Sequence, residues 1–192
     1  IVGIIGVETY YGRITGSHRV IDAQTTLAFE YPRRAKFFRK ELREFLLLAR
    51  EEGLDVSSAT GSYAGAMGRP QFMPSSFRAY AVDSTGDGRI DIWNDWGDVA
   101  GSIANYFVRH GWTEDGEVVA QAALGAGFKG EQPQPKNTLP PEDTVASLSQ
   151  KGVMFATELD SNAKSQLLAY EIDGDLEYWI GFHNFFVITR YN

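Results

Sequence analysis

The chain has 192 residues, 43% of them hydrophobic and 13% aromatic, enough for one compact domain with a sizeable core and a small appended lobe. Eighteen basic against 25 acidic residues leave a formal charge of -7, which argues against nucleic acid as a partner because phosphate binding needs concentrated positive charge. No apolar run approaches a membrane span, and with no initiator Met, signal sequence or cysteine the chain reads as a mature or trimmed soluble piece whose redox compartment is left open.

The first element is marked by "GIIGVETYYG", residues 3 to 12, an apolar run between glycines with one charged side chain, Glu8. Helical periodicity covers residues 1 to 11, and Ile1, Ile4 and Ile5 share the face of Glu8. A carboxyl aimed where a helix is apolar is expected to hold its proton to higher pH than a solvated one, as a general acid near neutral pH must. A glutamate at a frayed helix end, turned to water or paired with Arg13, is the alternative these ten residues leave open.

Residues 33 to 52 predict a second helix with Phe37, Phe38, Leu42, Phe45, Leu46 and Ala49 on one stripe, stopped by Gly53. Residues 54 to 71, rich in Gly, Ser and Ala, predict loop with at most a short helical turn. Pro74 before Ser75 and Ser76 predicts a helix to about Val82, and "DVAGSIANYFVRHG" a helix capped by Asp98 and ended by Gly111. Four of the seven prolines then fall within "GEQPQPKNTLPPED", where regular structure is not expected. "QLLAYEIDGDLEYWIGFHNFFVITRY" alternates apolar and polar residues around Asp173-Gly174, a β-hairpin with a third strand beyond it. The predicted class is α+β, mainly α: a helical core over residues 1–112, a Pro-rich connection over 113–165 and a small β-rich lobe over 166–192.

Three stretches carry chemistry. "DSTGDGRID" places oxygen ligands Asp83, Thr85 and Asp87 at positions 1, 3 and 5 of an EF-hand-like loop, Gly88 at position 6, Arg89 at position 7 and Ile90 at position 8. Position 12 is Asn94 instead of a bidentate Glu, so the closing ligand comes late, at Asp98. A metal-free Asp/Gly turn is the plainer reading. "GSYAGAMGRPQFMPSSF" alternates small residues that let a backbone approach a ligand with Gln71 for hydrogen bonds and the flat rings of Tyr63 and Phe72, a combination suited to sugar rings but shared by Gly-rich helix connections. In "YPRR", Arg33 and Arg34 are placed to hold a carboxylate or acetamido oxygen, or simply to be solvated.

Together, "GIIGVETYYGR", "YPRRAKFF", "GSYAGAMGRPQFMPSSF", the "DSTGDG" loop, "GSIANYF" and the closing "ITRYN" resemble, in order and spacing, the B-type membrane-bound and soluble lytic transglycosylases of Gram-negative bacteria. The resemblance runs over residues 1 to about 112 and resumes at about 166. It implies a lysozyme-like helical core with a structural calcium ion, held by Asp83, Thr85, Asp87, Arg89 and Asp98, and no organic cofactor. It implies action on peptidoglycan glycan strands in the periplasm, with other cell-wall enzymes as candidate partners and membrane attachment only through a lipid anchor outside this chain. Carried over residue by residue, Glu8 matches the catalytic acid/base, and Arg33, Arg34, Ser62, Gln71, Phe72, Tyr106, Tyr191 and Asn192 match positions lining the glycan groove. The family also has an α-helical region before the catalytic helix and, after "TRYN", a helix bearing a Tyr near the catalytic Glu.

Most glycosidases need two carboxyl groups. A lytic transglycosylase manages with one, because the 6-hydroxyl of the muramoyl sugar is an intramolecular nucleophile at high effective concentration. Two rivals stand beside that expectation: a hydrolytic muramidase, with Asp22 or Glu30 as second acid, and a non-catalytic peptidoglycan-binding module.

Overall fold

A computed structural model describes residues 1–135 and 140–191, in two compact units, Ile1–Arg109 and His110–Asn192. The first unit begins with α1 (Val2–Thr9), which stops short of residue 11 because Tyr10 and Tyr11 turn left-handed, with φ of 50° and 59°. A two-residue strand, β1 (His18–Arg19), pairs antiparallel with β2 (Thr60–Gly61). Between them lies α2 (Val20–Glu30), a helix the sequence pattern did not announce. Its buried residues are Val20, Gln24 and Ala28, one branched, one polar and one small, so it carries little apolar period.

A 3-10 turn, Pro32–Arg34, leads into α3 (Ala35–Glu52), which Gly53 ends in the left-handed conformation. The inward face of α3 is rotated from the expected stripe: Phe37 and Leu46 are 37% and 49% exposed, while Glu41 and Leu48 are buried. Glu41 tolerates burial because its carboxylate accepts from Ser75 N at 2.9 Å and Ser75 Oγ at 2.8 Å. Those donors open α4 (Pro74–Tyr80), where helix N-terminal N–H groups lack intrahelical partners. Arg78 on α4 pairs with Glu44 and Glu51 of α3. The last helix of the unit, α5 (Trp96–Arg109), is capped by Asp95 instead of Asp98: Asp95 Oδ1 accepts from Gly97 N at 2.7 Å and Asp98 N at 3.2 Å. Phe45, Phe77, Ile92, Val99 and Ile103 are buried in this unit.

The second unit is a five-stranded antiparallel sheet made of β3 (Val119–Leu124), β4 (Asp143–Thr144), β5 (Val153–Phe155), β6 (Lys164–Ile172) and β7 (Asp175–Gly181), in the order β4-β6-β7-β3-β5. The β6–β7 hairpin turns where predicted, with positive φ at both Asp173 and Gly174. Residues 113–165 contribute β3, β4, β5 and α6 (Val145–Gln150), which a Thr144/Ser147 capping box opens. The expected third strand is a helix, α7 (His183–Thr189): its buried residues Asn184 and Val187 lie three apart, a helical spacing. Val145, Leu148, Val153, Leu167, Ile180 and Phe182 form the core of this unit. No helix of the described residues is long and apolar enough to cross a membrane.

Candidate active site

Glu8 sits half-buried in the last turn of α1, one residue before Thr9, which is 1% exposed. Ile5 on its face is buried while Ile1 is 45% exposed, so the apolar face is closed only toward the C-terminal end of the helix. That end is also where α1 is tied down. Thr9 Oγ1 lies 3.2 Å from Ile5 O and 3.1 Å from Arg69 O, its one proton facing two carbonyls, and accepts from Gly12 N at 3.0 Å.

The chain leaving α1 then runs along the Gly-rich segment 61–73. Arg69 packs on Gly12, Gln71 Nε2 donates to Thr15 O at 3.1 Å, and Gly16 lies against Gly61. A Cβ on Gly16 would fall 2.1 Å from Gly61 O, and one on Gly61 2.2 Å from Ala66 O, so backbone meets backbone with no room for a side chain. Gln71, at φ 53°, also donates to Gly68 O at 2.9 Å. Ser62 Oγ accepts from Ala64 N at 3.3 Å and Ala66 N at 3.1 Å. Fully buried Gln24 reaches from α2 to Ala64 O at 2.8 Å. Ser62 and Gln71 are therefore fixed in the strip bonded to the turn that follows Glu8.

Phe72 and Tyr106 lie behind that strip, 3% and 5% exposed, their ring centroids 6.4 Å apart and each near Tyr80. Tyr63, by contrast, is 76% exposed and offers a free ring face. Arg33 and Arg34 are exposed on the 3-10 turn, and Arg34 stacks its guanidinium 4.4 Å above the Phe37 ring. Tyr191 follows α7 in the second unit, and Asn192 lies outside the described residues.

The acidic loop is bound up by its own carboxylates. Asp83 accepts from Gly86 N at 2.6 Å and Gly88 N at 2.8 Å, and these bonds, that from Gly88 foremost, hold its pKa below the ordinary value. Asp87 accepts from Arg89 N at 2.9 Å. At Asp91 burial raises the pKa, but bonds from Asn94 and Trp93 outweigh it and the net shift is downward. Asp98, 1% exposed, joins the two halves: Oδ1 accepts from Ser84 N and Oδ2 from Asp91 N, both at 2.8 Å. Asp83, Thr85, Asp87 and the Arg89 carbonyl make an oxygen-only donor set, the kind a hard cation such as calcium takes. Among the described residues no three His, Asp or Glu side chains converge on a metal position by themselves. The chemistry of the donors fits calcium, while the carboxylates are here satisfied by backbone N–H groups.

Sequence reasoning missed Thr9, Gln24, Glu41, Asp95 and Arg69, the side chains that hold these loops. The glycines at 12, 65 and 97, packed against Arg69, Gln24 and Asp95, mark these close approaches in the sequence without naming what approaches.

The sequence profile of the transglycosylase SLT domain matches residues 1–192. The chain is 45% identical to the membrane-bound lytic murein transglycosylase B of Escherichia coli (strain K12), over all of this chain and 51% of that protein. Among solved structures, catenated lytic transglycosylase SltB1 from Pseudomonas aeruginosa superposes with a TM-score of 0.91 at 53% identity, covering 100% of this chain and 62% of that one. The Escherichia coli lytic transglycosylase Slt35 in complex with calcium gives 0.85 at 44%, covering 100% and 59%. SltB3 from Pseudomonas aeruginosa in complex with NAG-anhNAM-pentapeptide gives 0.81 at 31%, covering 100% and 51%. The α+β arrangement described above is thus the one these lytic transglycosylases adopt. The chain belongs to the transglycosylase SLT domain family, and it spans about half the length of the curated relative it matches.

Proposed function

We propose that this chain carries the catalytic centre of a lytic transglycosylase that cleaves the β-1,4 bond between N-acetylmuramic acid and N-acetylglucosamine in peptidoglycan, with Glu8 as its single acid/base. The observation that carries the reading is Glu8 itself, a half-buried carboxylate in the last turn of an apolar helix whose end is pinned to the Gly-rich strip. Family membership supports it, as does the sugar ligand of the SltB3 relative, an anhydro-muramoyl peptide.

In this mechanism the Glu8 carboxyl gives its proton to the glycosidic oxygen, and the bond from that oxygen to C1 of the muramoyl sugar breaks. The 6-hydroxyl of the same sugar bonds to C1 and its proton passes to the Glu8 carboxylate, which restores the acid. No water is consumed, and the product ends in 1,6-anhydro-N-acetylmuramic acid. Arg33, Arg34, Ser62, Gln71, Phe72, Tyr106, Tyr191 and Asn192 are proposed to bind the strand. The nucleophile arrives already attached, so positioning does most of the work.

The muramidase alternative asks for a second carboxyl, and its candidates are poorly suited. Asp22 is exposed and paired with Arg19 at 2.6 Å, and Glu30 is exposed at the end of α2. Asp83, Thr85, Asp87, Arg89 and Asp98 are proposed to hold a structural calcium ion, which when bound would brace the loop without entering the reaction. The periplasm of a Gram-negative bacterium is the compartment that fits this substrate. Glu8→Gln keeps the side-chain shape without a transferable proton, so it should stay folded and leave isolated sacculi uncut. Mass spectra of wild-type digests should show anhydro ends, one water lighter than reducing ends, unchanged when Asp22 or Glu30 is replaced by its amide. Full activity in Glu8→Gln, or mainly reducing ends, would overturn the reading.

A further inference from the structure

We infer that Arg69 is a positioning residue that fixes the aim of Glu8 and ties it to the acidic loop; this rests on the acid/base reading of Glu8. Five contacts converge on this one residue, from two directions. On the side of α1, its carbonyl oxygen lies 3.1 Å from Thr9 Oγ1, the residue next to Glu8. Its side chain fills the space over Gly12, where an added Cβ would come within 2.9 Å of Nε. On the side of the loop, its N–H donates to Ile92 O at 2.9 Å and its Nη1 to Asn94 O at 2.8 Å. The guanidinium carbon sits 4.0 Å above the Trp96 ring, at the start of α5.

The surroundings give that bracket its mechanical sense. At the other end of α1, Ile1 in the N-cap position offers no side-chain bond, and the first turn has no acid. The last turn of this eight-residue helix is held at Thr9, and the turn that follows it at Gly12. Asn94 and Trp96, which hold Arg69, are in turn set by Asp91, which binds Asn94 N at 2.9 Å, and by Asp95, the cap of α5. A cation over an indole and a charge-assisted bond to a carbonyl are both stronger than their neutral counterparts. Without the guanidinium the bond to Asn94 O and the stacking on Trp96 are lost, and only the backbone bonds of Arg69 still join the segment 92–96 to the turn 9–12. Catalysis by a single carboxyl is sensitive to that, because a displacement of about 1 Å at the reacting group can cost about a hundredfold in rate.

The test compares Arg69→Met, which keeps a stem over Gly12 but has no guanidinium, with Arg69→Lys, which keeps a cation able to reach the Asn94 carbonyl. Glu8→Gln runs alongside. On soluble glycan strands, Arg69→Met should lower kcat by about tenfold to a hundredfold with KM within about twofold. Its affinity for a chitooligosaccharide, measured by calorimetry, should match wild type. Arg69→Lys should recover part of kcat. If Glu8→Gln is inactive while Arg69→Met keeps wild-type kcat, the positioning role is wrong and the acid/base reading stands. A parallel fall in kcat, oligosaccharide affinity and melting temperature, with no recovery in Arg69→Lys, would mean Arg69 only holds the fold. An active Glu8→Gln removes the acid/base reading itself.

Discussion

In the helical unit, five polar side chains buried to 1% exposure or less, Thr9, Gln24, Glu41, Asp98 and Ser102, each bond to the backbone of another segment. In the sheet unit, among described residues buried to that degree, only Asn184 plays that part, holding Thr113 and Gly116, while the strands pair as β-ladder over an apolar core. A ladder repeats, so its backbone groups satisfy one another wherever strands lie side by side. The turns beside Glu8 do not repeat, and each buried backbone group in them needs its own named partner. The unit that carries the chemistry is therefore fixed by polar residues in places where a pattern of hydrophobicity would put none.

The harshest way to break the sheet unit is to hollow its core. Ile180 is fully buried in β7, opposite Leu167 on β6. Ile180→Ala should cost about 2–5 kcal/mol by lost burial and the cavity left behind. Denaturant unfolding gives the total, and amide exchange should show the loss in β3, β6 and β7. A change below about 1 kcal/mol would mean the ladder, not the core, holds this unit.

Next in size is calcium, because in the acidic loop the carboxylates of Asp83, Asp87 and Asp98 hold backbone N–H groups where a cation could take their charge. An ion bound only to the folded state adds about 2.7 kcal/mol at a hundred times its Kd. The melting temperature should rise with calcium in the parent and much less in Asp87→Ala. Equal responses in the two proteins would sink the proposed ligand set.

What was legible in the sequence follows the same division. The β6–β7 hairpin and its Asp173-Gly174 turn were readable because alternation and positive-φ chemistry are local. So were α3, α4 and α5, to within a few residues, and Glu8 as an anomaly in an apolar run. α2 is hidden in the sequence because its inward residues are Val20, Gln24 and Ala28, and the α7 segment reads as a strand because it is aromatic and continues the alternation of the hairpin before it. The sequence pattern points to Asp98 as the cap of α5, and the structure puts Asp95 there because Asp98 is buried against Ser84 and Asp91. The family resemblance supplied the proposed substrate-contact residues, which spacing alone could not connect to Glu8. No sequence rule pointed to Arg69 or Glu41, whose partners are loop carbonyls and a helix start far along the chain.

Glu41→Gln sharpens the comparison from the helical side. The amide keeps the volume but offers one acceptor to Ser75 where the carboxylate offers two, so a donor at the start of α4 loses its partner. The cost should be about 1–3 kcal/mol. It should show as faster exchange of the first α4 amides, next to the Gly-rich strip, and as a lower unfolding midpoint. Wild-type exchange there would mean α4 is held by its Arg78 pairs with Glu44 and Glu51 instead.

The smallest effect belongs to a polar tie at the edge of the sheet unit, where solvent shares the work. Asp143 Oδ1 accepts from Lys151 Nζ at 2.6 Å and from Ser147 Oγ at 2.8 Å. Burial pushes its pKa up, but those two partners outweigh it and the carboxyl titrates below its ordinary value. A carboxyl depressed in the folded state stabilises above its unfolded pKa, near 3.9, and that contribution is lost as pH falls through the folded value. With Lys151 44% and Asp143 27% exposed, screening keeps the contribution under about 1 kcal/mol. Asp143→Asn should therefore lower stability slightly at neutral pH and flatten its decline between about pH 5 and about pH 3. Added salt should narrow the difference between the two proteins. Parallel stability curves over that window would show that the bond to Ser147, which an amide oxygen can still accept, is all that Asp143 contributes, and that the sheet unit draws nothing from charge.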